Sequence, residues 1–214
     1  ITVTNDLETD NRMHKTALIL KNAGYNVCLV GRKLPSSSQI SRVYDIHRLN
    51  LLFKKSALFY AFFNLRLFFY LLFKKFDVVL SCDLDTLPAG RFATVIKSKH
   101  LVYDSHELFT ELPELQKRKF VKYFWEKIEK LILPKIKYAF TVSDKIAEYY
   151  KDYKTDKGNG RADVLTINEY NEKNQLINSI TNISDNKNEK YKVIHNNAKP
   201  VFVLSTGRCG TKLL

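Results

Sequence analysis

Residues 76–107 read FDVVLSCDLDTLPAGRFATVIKSKHLVYDSHE. Two short apolar runs, Asp77-Val78-Val79-Leu80-Ser81 and Leu101-Val102-Tyr103-Asp104, bracket a helical stretch at Asp85 to Lys97, and each run opens into a polar cluster. Short continuous apolar runs alternating with amphipathic stretches are the pattern of a parallel sheet covered by helices. The unit therefore predicts an α/β fold, a Rossmann-like parallel sheet with flanking helices.

The alternation extends over residues 1 to about 154. Ile1-Thr2-Val3 reads as the end of a first strand. Met13, Ala17 and Leu20 follow at helical spacing, with Gly24 placed as a C-cap. Asn26 to Val30 is the expected second strand, and a third lies around Val43 to Ile46, after the turn Pro35-Ser36-Ser37-Ser38. Further on, Phe120, Phe124, Ile128 and Leu131 share one face of a helix, with Lys122, Glu126, Glu129 and Lys130 elsewhere, and Pro134 ends it. Tyr138 to Val142 is the last strand of this pattern, and Ser143 is placed to cap a final helix.

Composition narrows the function classes. The chain has 214 residues, 45% hydrophobic and 27% charged, which excludes collagen-like, disulfide-scaffold and wholly disordered proteins. Lys+Arg 35 against Asp+Glu 22 leaves a formal +13, so an anionic partner is expected: a phosphate-bearing ligand, nucleic acid or an acidic membrane surface. Aromatics cluster in apolar helices instead of interleaving with Lys and Arg, which argues against nucleic acid. Cys28, Cys82 and Cys209 are far apart and odd in number, which argues against a disulfide framework and a zinc site. No metal is expected, since His14, His47, His100 and His195 form no ligand spacing. The expected location is cytoplasmic, with peripheral attachment to the inner face of the membrane. Ile1 at the start and Met13 inside a helix read as a fragment, and no secretory signal is visible.

One stretch departs from the pattern. Leu51 to Phe76 holds no acidic residue, has Lys54, Lys55, Lys74 and Lys75 at its ends, and is almost unbroken Phe, Leu and Tyr but for Asn64 and Arg66. Its length suits a membrane span, but Arg66 at its centre would cost roughly 2.5 to 3.5 kcal/mol on insertion scales. Two other readings stand beside it: a helix packed on one side and lying on an anionic membrane on the other, and a fully buried core helix.

The character changes at residue 155. Ten of the sixteen asparagines lie in residues 155–199, which read as a poorly ordered, Asn-rich linker. Residues 200–214 then supply a terminal strand, Val201-Phe202-Val203-Leu204, and the loop Ser205-Thr206-Gly207-Arg208-Cys209-Gly210-Thr211.

Ligands of open α/β sheets sit beyond the carboxyl ends of the strands. The first strand is followed by Thr4-Asn5-Asp6-Leu7-Glu8-Thr9-Asp10-Asn11-Arg12, and later strands by Cys82-Asp83-Leu84-Asp85-Thr86, Asp104-Ser105-His106-Glu107 and Ser143-Asp144. His106, between Ser105 and Glu107, is the sharpest candidate: an imidazole there can donate to a sugar hydroxyl or phosphate with a carboxylate holding its tautomer. A structural histidine holding a loop is the alternative. Asp83 and Asp85 suit substrate hydroxyls and equally suit N-caps. Arg12, in a first helical turn, suits an acidic or phosphorylated acceptor and equally suits a solvated surface.

These segments, with Val30-Gly31-Arg32-Lys33-Leu34, taken in order, resemble the amino-terminal half of bacterial family-4 glycosyltransferases over about Ile1 to Tyr153. The resemblance implies one half of a GT-B architecture. In it the first domain binds a glycan or lipid-linked acceptor, the second binds the nucleotide-sugar donor, and the sugar is transferred with retained anomeric configuration, without metal. It assigns His106 a contact to the donor sugar, with Glu107 beside it as the second catalytic candidate. Asn5, Asp6, Arg12, Asp83, Asp85 and Ser105 become candidates for the acceptor side. That family's donor half carries two glutamates with seven residues between them, and stepping eight positions forward from any Glu of this chain reaches no second Glu. Little or no transfer by the chain alone is therefore expected. The terminal loop resembles the opening loop of sulfotransferases that use 3′-phosphoadenosine-5′-phosphosulfate (PAPS). Thr206, Gly207, Arg208, Cys209, Gly210 and Thr211 would then hold PAPS, at the truncated start of a second domain. The class alternatives are thus a PAPS-dependent sulfotransferase fusion and a non-catalytic membrane-surface glycan-binding module.

Overall fold

The computed structural model describes residues 1–155 and 163–166. In chain order the elements are β1 (Thr2–Asp6), α1 (Asn11–Asn22), β2 (Cys28–Lys33), β3 (Asp45–Asn50), α2 (Ser56–Phe73), β4 (Val78–Cys82), α3 (Leu87–Ile96) and β5 (His100–Ser105). They continue as α4 (Pro113–Gln116), α5 (Lys119–Ile132), β6 (Tyr138–Thr141), α6 (Asp144–Thr155) and β7 (Asp163–Thr166). All seven strands form one sheet in the order β3-β2-β1-β4-β5-β6-β7, and every neighbouring pair is parallel. The chain winds outward from β1 to β3, returns through α2 to β4, and winds outward the other way. This is a Rossmann-like, doubly wound α/β fold.

Adjacent strand residues face opposite sides of the sheet, and the two cores follow that period. Val79, Leu101, Tyr103 and Ala139 join the row Phe59, Phe63, Leu67 and Leu71 of α2, with Trp125 and Ile132 of α5. Leu80, Val102 and Phe140 face the other way, toward Met13, Ala17 and Leu20 of α1. The ends of α1 are well specified. Asp10 caps it by accepting the Met13 N–H at 2.9 Å. At the other end Gly24 takes φ 89°, and bonds from Gly24 N–H to Lys21 O and Tyr25 N–H to Leu20 O form a Schellman motif.

Four local expectations are corrected. β2 and β3 run further than the apolar runs suggest, because the charges of Arg32, Lys33 and Arg48 near their carboxyl ends are accommodated: Lys33 is exposed, Arg48 pairs with Asp6 at 3.1 Å, and Arg32 lies over the Phe59 ring. The buried side of α5 is Trp125, Glu129 and Ile132, while Phe120, Phe124 and Leu131 are 83%, 55% and 57% exposed. Trp125 wins that face through edge contacts with Phe109 and Tyr60, centroids 5.0 and 5.4 Å apart. Glu129 follows it inward and accepts a hydrogen bond from Thr110 Oγ1 at 3.1 Å. Thirdly, β7 lies inside the stretch expected to be a linker and pairs with β6 from Tyr138↔Asp163 to Thr141↔Thr166. Its four residues are too short an apolar run to stand out among asparagines and glycines. The rest of residues 167–199 and all of residues 200–214 lie outside the described residues.

The fully buried reading of α2 is the fourth correction. Its length and hydropathy would suit a membrane span, but Phe59, Phe63, Leu67 and Leu71, spaced four apart, are packed into the core. Leu58, Leu65, Phe69 and Phe73 face outward. Asn64 is the tether: its Nδ2 donates to Asp85 O at 2.7 Å, and its Oδ1 accepts the Ala89 N–H of α3 at 3.1 Å. Replacing one partner strands the other as a poorly solvated polar group, at a cost of about 1 to 3 kcal/mol. Asn64→Leu is therefore expected to lower unfolding stability by about that amount in urea titration; an unchanged midpoint would show that the two helices are held by packing alone.

Candidate functional site

Where strand order reverses, the loops after β1 and β4 turn to opposite sides of the sheet and leave a crevice between them. Asp83, the first residue beyond β4, adopts φ 58°, a left-handed conformation that Asp tolerates better than most residues. Its N–H continues the strand ladder to Asp104 O at 2.8 Å. The turn aims its carboxylate back across the edge: Oδ1 accepts the His106 N–H at 3.0 Å, and Oδ2 stands 3.5 Å from Arg12 Nη2. Three separate segments, α1, the β4 loop and the β5 loop, thus meet at one carboxylate.

Around it the other polar residues take defined places. Thr4 Oγ1 donates to Asp85 Oδ2 at 2.6 Å, and Asp85 is buried. His106 Nε2 lies 2.8 Å from Asp104 Oδ2, with side chains 5% and 3% exposed. The approach is off the axis of a hydrogen bond, so both ring nitrogens lack such a partner among the described residues. Those unsatisfied donors and acceptors can serve a ligand. Asn5 is exposed at the rim, its Nδ2 donating to Asp10 Oδ2 at 3.0 Å, and Glu107 is exposed beyond it.

Electrostatics differ within the cluster. Burial, with the nearby Asp83 charge, pushes Asp85 up to about 7 against the opposing Thr4 bond. Burial also raises Asp83 and Glu107, partly offset by His106 and Arg12. Burial would lower the Arg12 guanidinium, but Asp83 and other nearby negative groups outweigh it and hold it charged. Weakly acidic carboxyls beside a fixed cation can accept or donate hydrogen bonds to polyols near neutral pH.

The structure brings Arg12, Asp83, Asp85 and His106 together, with Asn5 and Glu107 at the rim. Neither Asp83 nor Asp85 caps α3; the N-cap position is Thr86, without a side-chain bond. Asp6 and Ser105 point elsewhere. Asp6 bonds Ser37, the Glu8 N–H and Arg48, which together outweigh burial and hold its carboxyl below the usual range. Ser105 is buried, donates to Glu107 O at 3.1 Å and contacts the Tyr150 hydroxyl at 2.7 Å. Thr206, Gly207, Arg208, Cys209, Gly210 and Thr211 lie outside the described residues. Sequence reading missed Thr4 and Tyr150, whose roles depend on contacts 81 and 45 residues away. Among the described residues no group of His, Cys, Asp and Glu could hold a metal ion.

A doubly wound parallel sheet with a cationic and carboxylic cluster at its switch point defines a Rossmann-like α/β domain. The model of the family described as Glycosyltransferase Family 4 matches residues 11–162, and the chain belongs to that family. No curated protein matches the chain.

The raised carboxyls give a pH signature. An acid whose pKa is higher folded than unfolded binds more protons when folded between the two values, so stability falls as pH rises through that window. For Asp85 the window runs from its ordinary value of 3.8 to about 7. The wild-type urea midpoint minus that of Asp85→Asn is expected to decline from pH 4.5 to 7.5 and level off above it. A flat difference would show that Asp85 titrates normally.

Proposed function

We propose that this chain is the acceptor-binding half of a retaining, metal-independent GT-B glycosyltransferase. It would present a glycan or lipid-linked acceptor to a nucleotide-sugar held by a second, donor-binding half. Family membership supplies the reaction class, and the observation that supports the half and its orientation is the convergence of Arg12, Asp83 and His106 at the β1/β4 switch point. In the reaction the bond from the sugar's anomeric carbon to the nucleotide diphosphate breaks. A bond to an acceptor hydroxyl oxygen forms, and the hydroxyl proton is released. Arg12, Asp83 and Asp85 orient acceptor hydroxyls, while the unsatisfied His106 ring faces the donor sugar. Holding the partners in line accounts for much of the acceleration in such two-sided sites. The PAPS-dependent alternative rests on the sequence of the Thr206–Thr211 loop alone.

The transfer test pairs this chain with a family-4 donor-binding half. His106→Ala is expected to reduce turnover by an order of magnitude or more, and unchanged turnover would remove His106 from the site.

A peripheral position on the inner, anionic face of a membrane is the second part of the proposal. It is supported by the outward row Leu58, Leu65, Phe69 and Phe73 of α2, with Lys54, Lys55, Lys74 and Lys75 at the helix ends and no acidic residue between them. Phe92, Val95 and Ile96 of the adjoining α3 extend the exposed apolar surface. A membrane-surface module without catalysis would share this face but not the His106 dependence. The chain is expected to co-sediment with anionic vesicles at low salt, and Phe69→Glu/Phe73→Glu should abolish it; recovery of the wild type in the supernatant would sink the idea.

A further inference from the structure

Beside the switch point, past the carboxyl ends of β2 and β3, lies a cavity of about 170 Å³. Arg32 and Lys33 at the end of β2 and Lys54 just before α2 line it, and no carboxylate does. Its remaining wall is largely apolar, including Leu51, Phe53 and Phe59. Arg32 is held in place: its guanidinium carbon stands 5.2 Å from the centroid of the Phe59 ring. Its Nε is buried without a hydrogen-bond partner among the described residues, a cost that a bound anion would remove.

The rim is fixed by bonds that serve nothing else in the site. Ser37 accepts the Leu34 N–H at 2.8 Å and donates to Asp6, while Arg48 donates to Ser38 O at 2.6 Å and to Asp6 Oδ1 at 3.1 Å. Asp6, opposite Arg32 in the β1–β2 register, is thereby committed to Ser37 and Arg48, and Glu8 accepts the Ser38 N–H at 2.7 Å. Gly31 precedes Arg32 on β2. A Cβ there would lie 2.8 Å from Asn5 O and collide with Leu7, so only glycine lets β2 pack this closely under the β1 loop. Outside the cavity the surface continues through exposed Leu52, Phe53 and Leu58 onto the outer row of α2.

We infer that this cavity binds the phosphate of an amphiphilic acceptor, with Arg32, Lys33 and Lys54 holding the anion and Leu51, Phe53 and α2 receiving its hydrocarbon. Cations without a counter-charge select the phosphate, and the apolar wall selects against a fully hydrophilic sugar phosphate. The inference deepens the acceptor-half reading above and rests on it for the word acceptor; the binding itself needs no donor half and no transfer.

The test is calorimetric titration of the full chain with dodecyl phosphate kept below its micelle-forming concentration, beside inorganic phosphate and dodecyl maltoside. Dodecyl phosphate is expected to bind once per chain, at least tenfold tighter than inorganic phosphate, with no saturable uptake of the maltoside. Arg32→Ala/Lys54→Ala should weaken it at least tenfold. Because Arg32 packs on Phe59, the variant Lys33→Ala/Lys54→Ala, confined to exposed side chains, is measured too and should show a loss in the same direction. Phe120→Ser, 83% exposed on α5 and outside both the cavity and the outer row of α2, should leave the affinity unchanged. Equal affinity for inorganic phosphate would overturn the amphiphile. Affinity unchanged in both cationic variants, or lost in Phe120→Ser, would overturn the cavity. A negative titration beside a His106-dependent transfer would refute this inference alone, whereas binding without transfer would refute only the enzymatic reading.

Discussion

The carboxylate of Asp83 is the constraint on which the carboxyl edge depends. It sits on a left-handed residue at the one place where the sheet changes winding direction, and it receives the backbone of the β5 loop and the guanidinium of Arg12 at once. Through it α1 and the loop that carries His106 meet at a single side chain. An anion committed to a backbone N–H and a cation is a rigid support, so the neighbouring groups can remain incompletely satisfied. That is the condition of the His106 ring, which is buried, close to Asp104 and without a hydrogen-bond partner among the described residues. Unsatisfied polar groups of this kind concentrate where a ligand completes the structure.

The crossover helix α2 connects this edge to the outer surface. Its inner row of Phe and Leu belongs to the core, and burying each such side chain contributes about 1.5 to 3 kcal/mol. Its outer row is equally apolar and about half or more exposed. Asn64, which would be a defect in a simple apolar helix, clamps α2 onto the amino end of α3. The helix therefore cannot leave the domain for a bilayer without stripping both the inner row and this clamp. Its amino end, with Lys54 and Lys55, and the Arg32 cavity share one edge with the switch point, so a surface-bound amphiphile would arrive beside the proposed acceptor crevice.

Much of the site was legible because parallel sheets concentrate polar residues just after short apolar runs. Asn5, Arg12, Asp83, Asp85, His106 and Glu107 all lie at the edge that this rule selects. Asp6 and Ser105 satisfy the same rule and yet turn away, toward Ser37 with Arg48 and toward Tyr150. A strand's last residue alternates between faces, and its local sequence carries no record of which partner waits on the other side. The charged ends of β2 and β3 were illegible for a related reason: Arg32, Lys33 and Arg48 break an apolar run without breaking the strand.

By itself the sequence determined the fold class, the number of early strands, the cap at Gly24 and the edge where chemistry belongs, because each follows from periodicity or from backbone preferences within a few residues. Tertiary structure alone decided which face of α5 is buried, that four residues at 163–166 complete the sheet, that Asn64 is a clamp, and that Arg32 closes a cationic cavity with Lys54. Those outcomes depend on pairings between residues tens of positions apart, where the burial of Trp125 over Phe124, or the pairing of Asp6 with Arg48 and of Asp83 with Arg12, is settled only when the sheet brings them together.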